Sequence, residues 1–380
     1  MGADTKIEWA DATINVWEGC TKVSPACKNC YAETNSPVHA MEMRIGEALQ
    51  VEPSADGKRR LKMWGVRGFR YETTNWEGQL RALNRKAKRG HIKLTDSGAT
   101  FKRPRVFINS LSDTFEDWQG PVYRLVDGSV QKNQAHIHAQ SIEGLRKRFF
   151  QVAEECTELD LLLLTKRPEN VLRMAPLHWL KMDGKWPAWV WIGTTVEDQE
   201  HADKRIPELL KVPAKVRFLS VEPLLWKVDL GRTYEVSPAN GGTLAYPLEV
   251  DDGQYGRIHW VIVGGESGTN ARPTHPDWVR SIRDQCVSVG VPFFFKQWGE
   301  WTPDTPNGYR LENVALWNYK DADEWIYLRD LQPDRRENWN EHEVGDVRMY
   351  KVGKKNAGRV LDGRSVSARC RIAWIFSIGI

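Results

Sequence analysis

The chain has 380 residues, of which 41% are hydrophobic and 27% charged, and a formal net charge of +4. That composition supports a sizeable packed core and excludes a disordered or collagen-like chain. The length fits one large α/β barrel with insertions as well as two domains, and the modest charge permits a nucleic-acid partner without requiring one.

The N-terminal stretch MGADTKIEWADAT has neither a basic flank before an apolar core nor an Arg-rich amphipathic pattern, so no secretory or transit peptide is expected. Lys6 stands where a myristoylation motif takes Ser or Thr. No apolar run approaches the roughly 20 residues of a membrane helix, so no membrane association is expected. The expected location is the cytoplasm, where clustered cysteines signal metal binding or catalysis more often than a disulfide framework.

Seven apolar runs, each followed at once by a polar motif, read as strands: ATINVWEGC (12–20), RVFINSLSDTF (105–115), LDLLLLTKRP (159–168), WVWIGTTVED (189–198), VRFLSVEP (216–223), HWVIVGGESG (259–268) and VPFFFKQWG (291–299). Near-continuous apolar runs are the habit of parallel strands covered on both faces. Helical patterns lie between them at 141–156, 197–210 and 275–290, the last with Pro276 and Asp277 in its first turn. This alternation predicts an α/β fold, a partial or full parallel (β/α) barrel over residues 1–299. No G-x-G-x-x-G follows the first strand, which argues against a dinucleotide fold.

Residues 36–104 form a basic, Trp-containing, helical insertion after the first strand. Residues 120–140 and 231–257 read as loops or hairpins, and 300–380 as a small β-containing appendage. The basic runs 57–70 and 81–93, which include Arg59, Arg60, Arg85 and Lys86, suit a solvated face or a nucleic-acid contact. The 18 tryptophans read first as core and pocket wall, since no spacing singles out a base-stacking platform.

In a parallel barrel every loop after a strand opens on one rim, so the polar motifs converge on one site. Cys20, Cys27 and Cys30 sit on that rim with the spacing C-x6-C-x2-C. Three thiolates leave one iron of a four-iron cluster without a protein ligand, the open position that a catalytic metal centre needs. The competing reading is structural zinc, completed by His39 or a distant ligand, in a non-enzymatic module that binds nucleic acid or a partner protein. The rim motifs favour the open cluster. Cys156 and Cys286 fall in helical patterns and read as core residues, and Cys370 is assigned no role.

A three-cysteine loop on a strand-and-helix barrel resembles the radical S-adenosylmethionine enzymes, although their usual motif, C-x3-C-x2-C, has a first gap three residues shorter. The resemblance implies a [4Fe–4S] cluster, S-adenosyl-L-methionine bound at the open iron, an external electron donor and hydrogen abstraction by a 5′-deoxyadenosyl radical. A closer similarity runs through GCTKVSPACKNCYAE, FINSLSDTF, LLLLTKRP, WIGTTVEDQEHADKRIPELL, FLSVEPLL, VIVGGESGTNARPTHPDWVRSIRDQC, PFFFKQWG and GKKNAGRVLDGR. In that order they resemble the motifs of a phage and prophage family of unestablished function, whose members neighbour a gene for a three-Cys-motif partner protein. The setting implied is a bacterial host cytoplasm. The tail after Arg364, SVSARCRIAWIFSIGI, departs from that family.

The groups of S-adenosylmethionine assign work to the other rim residues. Ser110, Ser112 and Asp113 suit its ammonium, and Lys166 or Arg167 its carboxylate. Thr195 and Glu197 suit ribose hydroxyls, with Ser220 and Glu222 nearby. Gly264 and Gly265 allow close backbone approach to adenine or substrate, and Glu266 and Ser267 add polar contacts. Arg272, Lys296, Gln297 and Trp298 extend the rim towards an anionic or planar substrate. Asp113 and Glu197 fit helix capping equally well. The expected substrate is a nucleic acid or nucleotide, undergoing base modification or repair.

Overall fold

The computed structural model describes residues 5, 7–48, 63–66, 68–96, 102–126, 129–132, 141–180, 186–236, 243–248, 256–304, 313–318, 324–327 and 347–365. Arg59, Arg60, Cys370 and the tail beyond 365 lie outside them. Seven strands form one parallel sheet in chain order: β1 (Ala12–Ile14), β2 (Arg105–Ile108), β3 (Asp160–Thr165), β4 (Val190–Thr195), β5 (Arg217–Val221), β6 (Trp260–Gly264) and β7 (Phe293–Gln297). Every neighbouring pair is parallel. The sheet curls into a half-barrel, with β1 and β7 as its edge strands among the described residues.

Alternation along the strands builds two cores. One face carries Val106, Ile108, Leu161, Leu163, Ile192, Leu219, Val221, Val261 and Val263, and packs under the helices. The other carries Phe107, Leu162, Trp191, Phe218, Trp260, Ile262 and Phe294, plugged by Trp9 from the segment before β1. Trp9 and Phe107 rings lie 4.6 Å apart, and Trp260 meets Trp9 edge-on. This aromatic layer packs the face of the sheet opposite the helices, below the carboxyl ends of the strands. Trp17, Trp76, Trp179, Trp260 and Trp301 are fully buried, the core role expected of them, and so is Trp298, for which the rim motif predicts a substrate contact instead.

The barrel and its insertion carry α1 (Ser36–Ala48), α2 (Trp76–Asp96), α3 (Ile142–Glu155), α4 (Val171–Met174), α5 (Gln199–Leu210) and α6 (Pro276–Ser288), and a further short helix, Lys354–Ala357, lies near the C-terminus. Three have side-chain N-caps. Ser141 accepts from the Gly144 N–H, Asp198 from that of His201 and His275 from that of Asp277. Helical spacing then buries Ala202, Ile206 and Leu209 on α5, and Trp278, Val279, Ile282 and Cys286 on α6. Each large aliphatic side chain so buried contributes roughly 1.5–3 kcal/mol.

The apolar run 12–20 is two strands rather than the single one expected. At the end of β1 the Asn15 side chain accepts from Leu111 N–H at 3.0 Å, and Asn109 Oδ1 accepts from Val16 N–H at 2.7 Å. These bonds stand in for ladder pairing and turn the chain. Trp17–Glu18 then pairs antiparallel with Arg70–Glu72, in a second sheet with Val122–Val126 and Ser129–Lys132. The insertion thus holds α1 and α2 as expected, plus a strand that the sequence reading lacked.

Beyond β7, Trp301–Thr302, Val314–Asn318, Glu324–Tyr327 and Arg348–Lys351 form a four-stranded antiparallel sheet. It is stitched to the barrel: Trp298 N–H donates to Gly358 O, Trp298 Nε1 to Val360 O and Trp301 Nε1 to Ala271 O. No helix among the described residues is long and apolar enough to cross a membrane.

Candidate functional site

A cavity of about 690 Å³ opens at the strand ends, within the usual size range of small-molecule sites. Its floor is apolar, with Ile7, Trp9, Phe107 and Leu164. Its walls carry the rim motifs: Ser110, Ser112 and Asp113 after β2, Lys166 and Arg167 after β3, Thr195 on β4, Ser220 and Glu222 at β5, Gly265, Glu266 and Ser267 after β6, and Lys296 and Gln297 on β7. Cys20, Cys27 and Cys30 line the same cavity. A larger groove, about 980 Å³, lies outside the barrel beside α3 and holds none of these residues.

The cysteine loop is clamped from both sides. Cys20 follows the short strand Trp17–Glu18, and its backbone bridges to Trp64 of the insertion. Ala32, Val38, Met63, Trp64, Tyr71 and Leu111 form a small core against which Cys20 and Cys30 pack. The insertion therefore braces the thiols. Arg70, fully buried, forms two bonds of 2.7 Å to the Glu116 carboxylate, donates to Thr21 Oγ1 at 2.9 Å and stacks over Trp118 at 3.9 Å. Glu116 in turn accepts from Thr21 N–H at 2.8 Å.

Arg167 continues this network. Its guanidinium donates to Asp113 at 2.8 Å and to Thr21 O at 2.7 Å, and lies 3.7 Å from the Cys20 sulfur. Asp113 also accepts from Thr165 Oγ1, Lys166 N–H and Phe115 N–H. Burial alone would raise the Asp113 carboxyl, but Arg167 and these donors hold it below the usual carboxylate range. Asp113 and Arg167 therefore bond each other, and Arg167 also bonds Thr21 O and approaches the Cys20 sulfur, so the two residues are paired within the protein.

On the far edge of the sheet, the segment after β6 grips the same loop. Asn29 donates to Glu266 at 3.1 Å and to Asn270 O at 2.7 Å. Arg272 donates three bonds to Glu266, from its backbone N–H, Nε and Nη2, and one to Pro25 O. The cysteine loop thus spans the mouth of the half-barrel from the β1 side to the β6 side.

The thiols sit in different electrostatic surroundings. Burial and the nearby Glu116 charge push Cys20 up to about 12, against the pull of Arg167. Cys27 is raised by burial, but the Lys166 charge and hydrogen bonds from Val23 and Ser24 bring it below the ordinary thiol value. Among the described residues, no group of three or more Cys, His, Asp or Glu side chains stands ready to hold a metal ion. The three thiols line one cavity, with the Arg167 guanidinium and the Lys166 ammonium beside them to offset thiolate charge.

Four expected site residues lie away from the cavity surface. Glu197 is fully buried and pairs with Arg205 at 2.7 Å, while its neighbour Asp198 caps α5. Trp298 packs edge-on against Phe295 in the outer core. Arg272 serves the clamp. Gly264 makes room for a side chain, since a Cβ there would meet Glu222 Oε1 at 2.5 Å. A Cβ on Gly265 would lie 2.0 Å from the backbone oxygen of Trp298. The close approach expected of both glycines is therefore to the protein itself. Cys156 and Cys286 are buried in the outer core as expected.

The cavity also holds residues that the sequence reading left without a role: Asn15 and Asn109 at the ends of β1 and β2, Asn29 and Tyr31 in the cysteine loop, and Lys354 from the C-terminal region. The signal existed for two of them, as Asn15 and Asn109 each end an apolar run. Lys354 lies 57 residues beyond the last barrel strand (354 − 297) and carried none.

These features define a class: an open parallel α/β half-barrel whose strand-end cavity is capped by a three-thiol loop. The chain belongs to the family described as protein of unknown function DUF5131, whose model matches residues 4–369. No curated protein and no solved structure matches it.

Proposed function

We propose that the protein is an iron–sulfur enzyme of the radical S-adenosylmethionine type, with Cys20, Cys27 and Cys30 as the protein ligands of a [4Fe–4S] cluster. One observation carries the reading: the three thiols open onto the same cavity as the polar ends of the parallel strands. When bound, the cluster and S-adenosylmethionine would supply one-electron reduction and a carbon radical able to take hydrogen from an unreactive carbon.

The chain's own contribution is holding, neutralising and excluding water. Arg70, Glu116, Arg167 and Asp113 fix the Cys20 end of the loop, and Glu266 with Arg272 fixes the Pro25–Asn29 end. Lys166 and Arg167 offset the charge of thiolate ligands. The remaining cavity walls, from Ser110 and Thr195 to Lys296, face the space left for S-adenosylmethionine and substrate. The apolar floor shields a reactive intermediate from water. A nucleotide or nucleic acid is the proposed substrate, in a phage-encoded setting, with a three-Cys-motif protein as the proposed partner and an external protein as electron donor.

The test is anaerobic reconstitution with iron, sulfide and a strong reductant. Brown protein with broad absorbance near ~400 nm that releases 5′-deoxyadenosine from S-adenosylmethionine supports the reading. Colourless protein holding stoichiometric zinc overturns it in favour of a zinc-stabilised binding module. Iron without release of 5′-deoxyadenosine or methionine removes S-adenosylmethionine from the reading.

A further inference from the structure

One corner of the cavity carries charge that the cysteine loop does not use. Glu222, just past β5, pairs with Lys296 of β7 at 3.0 Å, both side chains less than one-fifth exposed. Ser220 Oγ reaches the second oxygen of Glu222 at 3.4 Å. The carboxylate occupies space that exists only because Gly264, on the intervening strand β6, lacks a side chain. Three adjacent strands thus fix the position of the Lys296 ammonium.

Lys354 faces the same cavity from the short helix Lys354–Ala357. Its backbone N–H donates to Glu300, but its ammonium makes no hydrogen bond or ion pair among the described residues. Burial lowers its pKa and the Lys296 charge lowers it further, against Glu222, Glu8 and Glu300. Lys296 is thus directly ion-paired to Glu222, whereas Lys354 feels Glu222, Glu8 and Glu300 only through longer-range attraction, at a partly desolvated corner. An anion that accepts from both lysines would relieve the repulsion between them.

We propose that Lys296 and Lys354 form the binding site for the phosphate group of a nucleoside monophosphate or nucleotide unit. A phosphate dianion offers three oxygens to two ammoniums that carry three donors each, and lysine serves phosphate as a point charge. The rest of the ligand is specified by the floor, where Ile7, Trp9, Phe107 and Leu164 offer an apolar surface for a planar base. The inference deepens the proposed function by naming its substrate class, and rests on that reading only in calling the ligand a substrate.

The test needs no cluster. Full-length protein as purified is titrated calorimetrically with thymidine 5′-monophosphate, thymidine, inorganic phosphate and acetate. The monophosphate is expected to bind at least tenfold more tightly than thymidine or phosphate, with affinity falling as salt rises. Lys354→Gln and Lys296→Gln should each weaken it about tenfold or more, and Lys354→Arg should restore much of the loss. An unchanged melting temperature in Lys354→Gln would show that the loss is not unfolding. Equal affinity for monophosphate and thymidine, or a Lys354→Gln variant that binds like wild type, overturns the site. Inorganic phosphate binding as tightly as the monophosphate overturns the nucleotide assignment, and acetate competing equally overturns the phosphate assignment. Iron content and 5′-deoxyadenosine release are read separately, so either proposal can fail while the other stands.

Discussion

Asn29 and Glu266, 237 residues apart in the chain, join the cysteine loop to the far side of the half-barrel through a hydrogen bond of 3.1 Å. Glu266 is 4% exposed and also takes three bonds from Arg272, which itself reaches Pro25 O. Glu266→Gln keeps the volume but removes one acceptor oxygen and leaves the guanidinium short of a charge partner. It should cost about 1–3 kcal/mol in denaturant unfolding. If the cluster forms, the variant should also lose iron to a chelator faster than wild type. Wild-type values in both measurements would mean the clamp is not holding the loop.

Asp113→Asn breaks the pair with Arg167 beneath Cys20 and Thr21. Removing one partner of a buried ion pair leaves the other charge uncompensated, an expected loss of about 3–5 kcal/mol. Since the folded-state pKa is depressed, this contribution is present above the ordinary value of 3.8 and disappears as pH falls through the lower folded value. The gap between wild type and variant, measured by urea unfolding, should be full at neutral pH and shrink in acid.

Asp160, at the opposite end of β3, has the reverse sign. Burial pushes its carboxyl from 3.8 up to about 6, against Arg103, Arg105 and Lys102. Its ionised form therefore destabilises the fold at neutral pH. Asp160→Asn should stabilise by about 1–2 kcal/mol at pH ~7 after allowance for solvent screening, and the gain should vanish well below 3.8, where both states are protonated. A variant less stable than wild type at neutral pH would reject this account.

Gly264 and Gly265 separate two kinds of close approach. A methyl on Gly265 meets the backbone of Trp298, which cannot rotate away, so Gly265→Ala should cost about 1–3 kcal/mol or more. A methyl on Gly264 meets only the end of the Glu222 side chain, which can swing aside and release Lys296. Thermal melts should therefore show the smaller loss for Gly264→Ala.

Cysteine variants distinguish ligand from core. With Cys27 as a cluster ligand, as proposed, Cys27→Ala should abolish iron retention and the absorbance near ~400 nm. Cys286→Ala, on the buried face of α6, should retain both while costing about 1 kcal/mol. Equal iron loss in the two would detach the chemistry from the loop.

The sequence by itself determined the parallel α/β architecture, the three principal helices and the order of the rim motifs. Each of these follows from local periodicity: continuous apolar runs for covered strands, spacing of three to four for α3, α5 and α6, and polar residues at every strand end. It also drew Cys20, Cys27 and Cys30 onto the same rim as Lys166, Glu222 and Lys296. The tertiary structure alone decided what each rim residue touches. Asp113 pairs with Arg167 and Glu266 with Arg272, and the two arginines reach Thr21 and Pro25 of the loop across 146 and 247 residues, a separation that leaves no trace in local pattern. The same reason hid Lys354, brought from the C-terminal region into the cavity, and the break in the first apolar run at Asn15, where the Asn109 side chain and the Leu111 N–H replaced a strand neighbour. Periodicity reports which face of an element is covered; only packing reports by what.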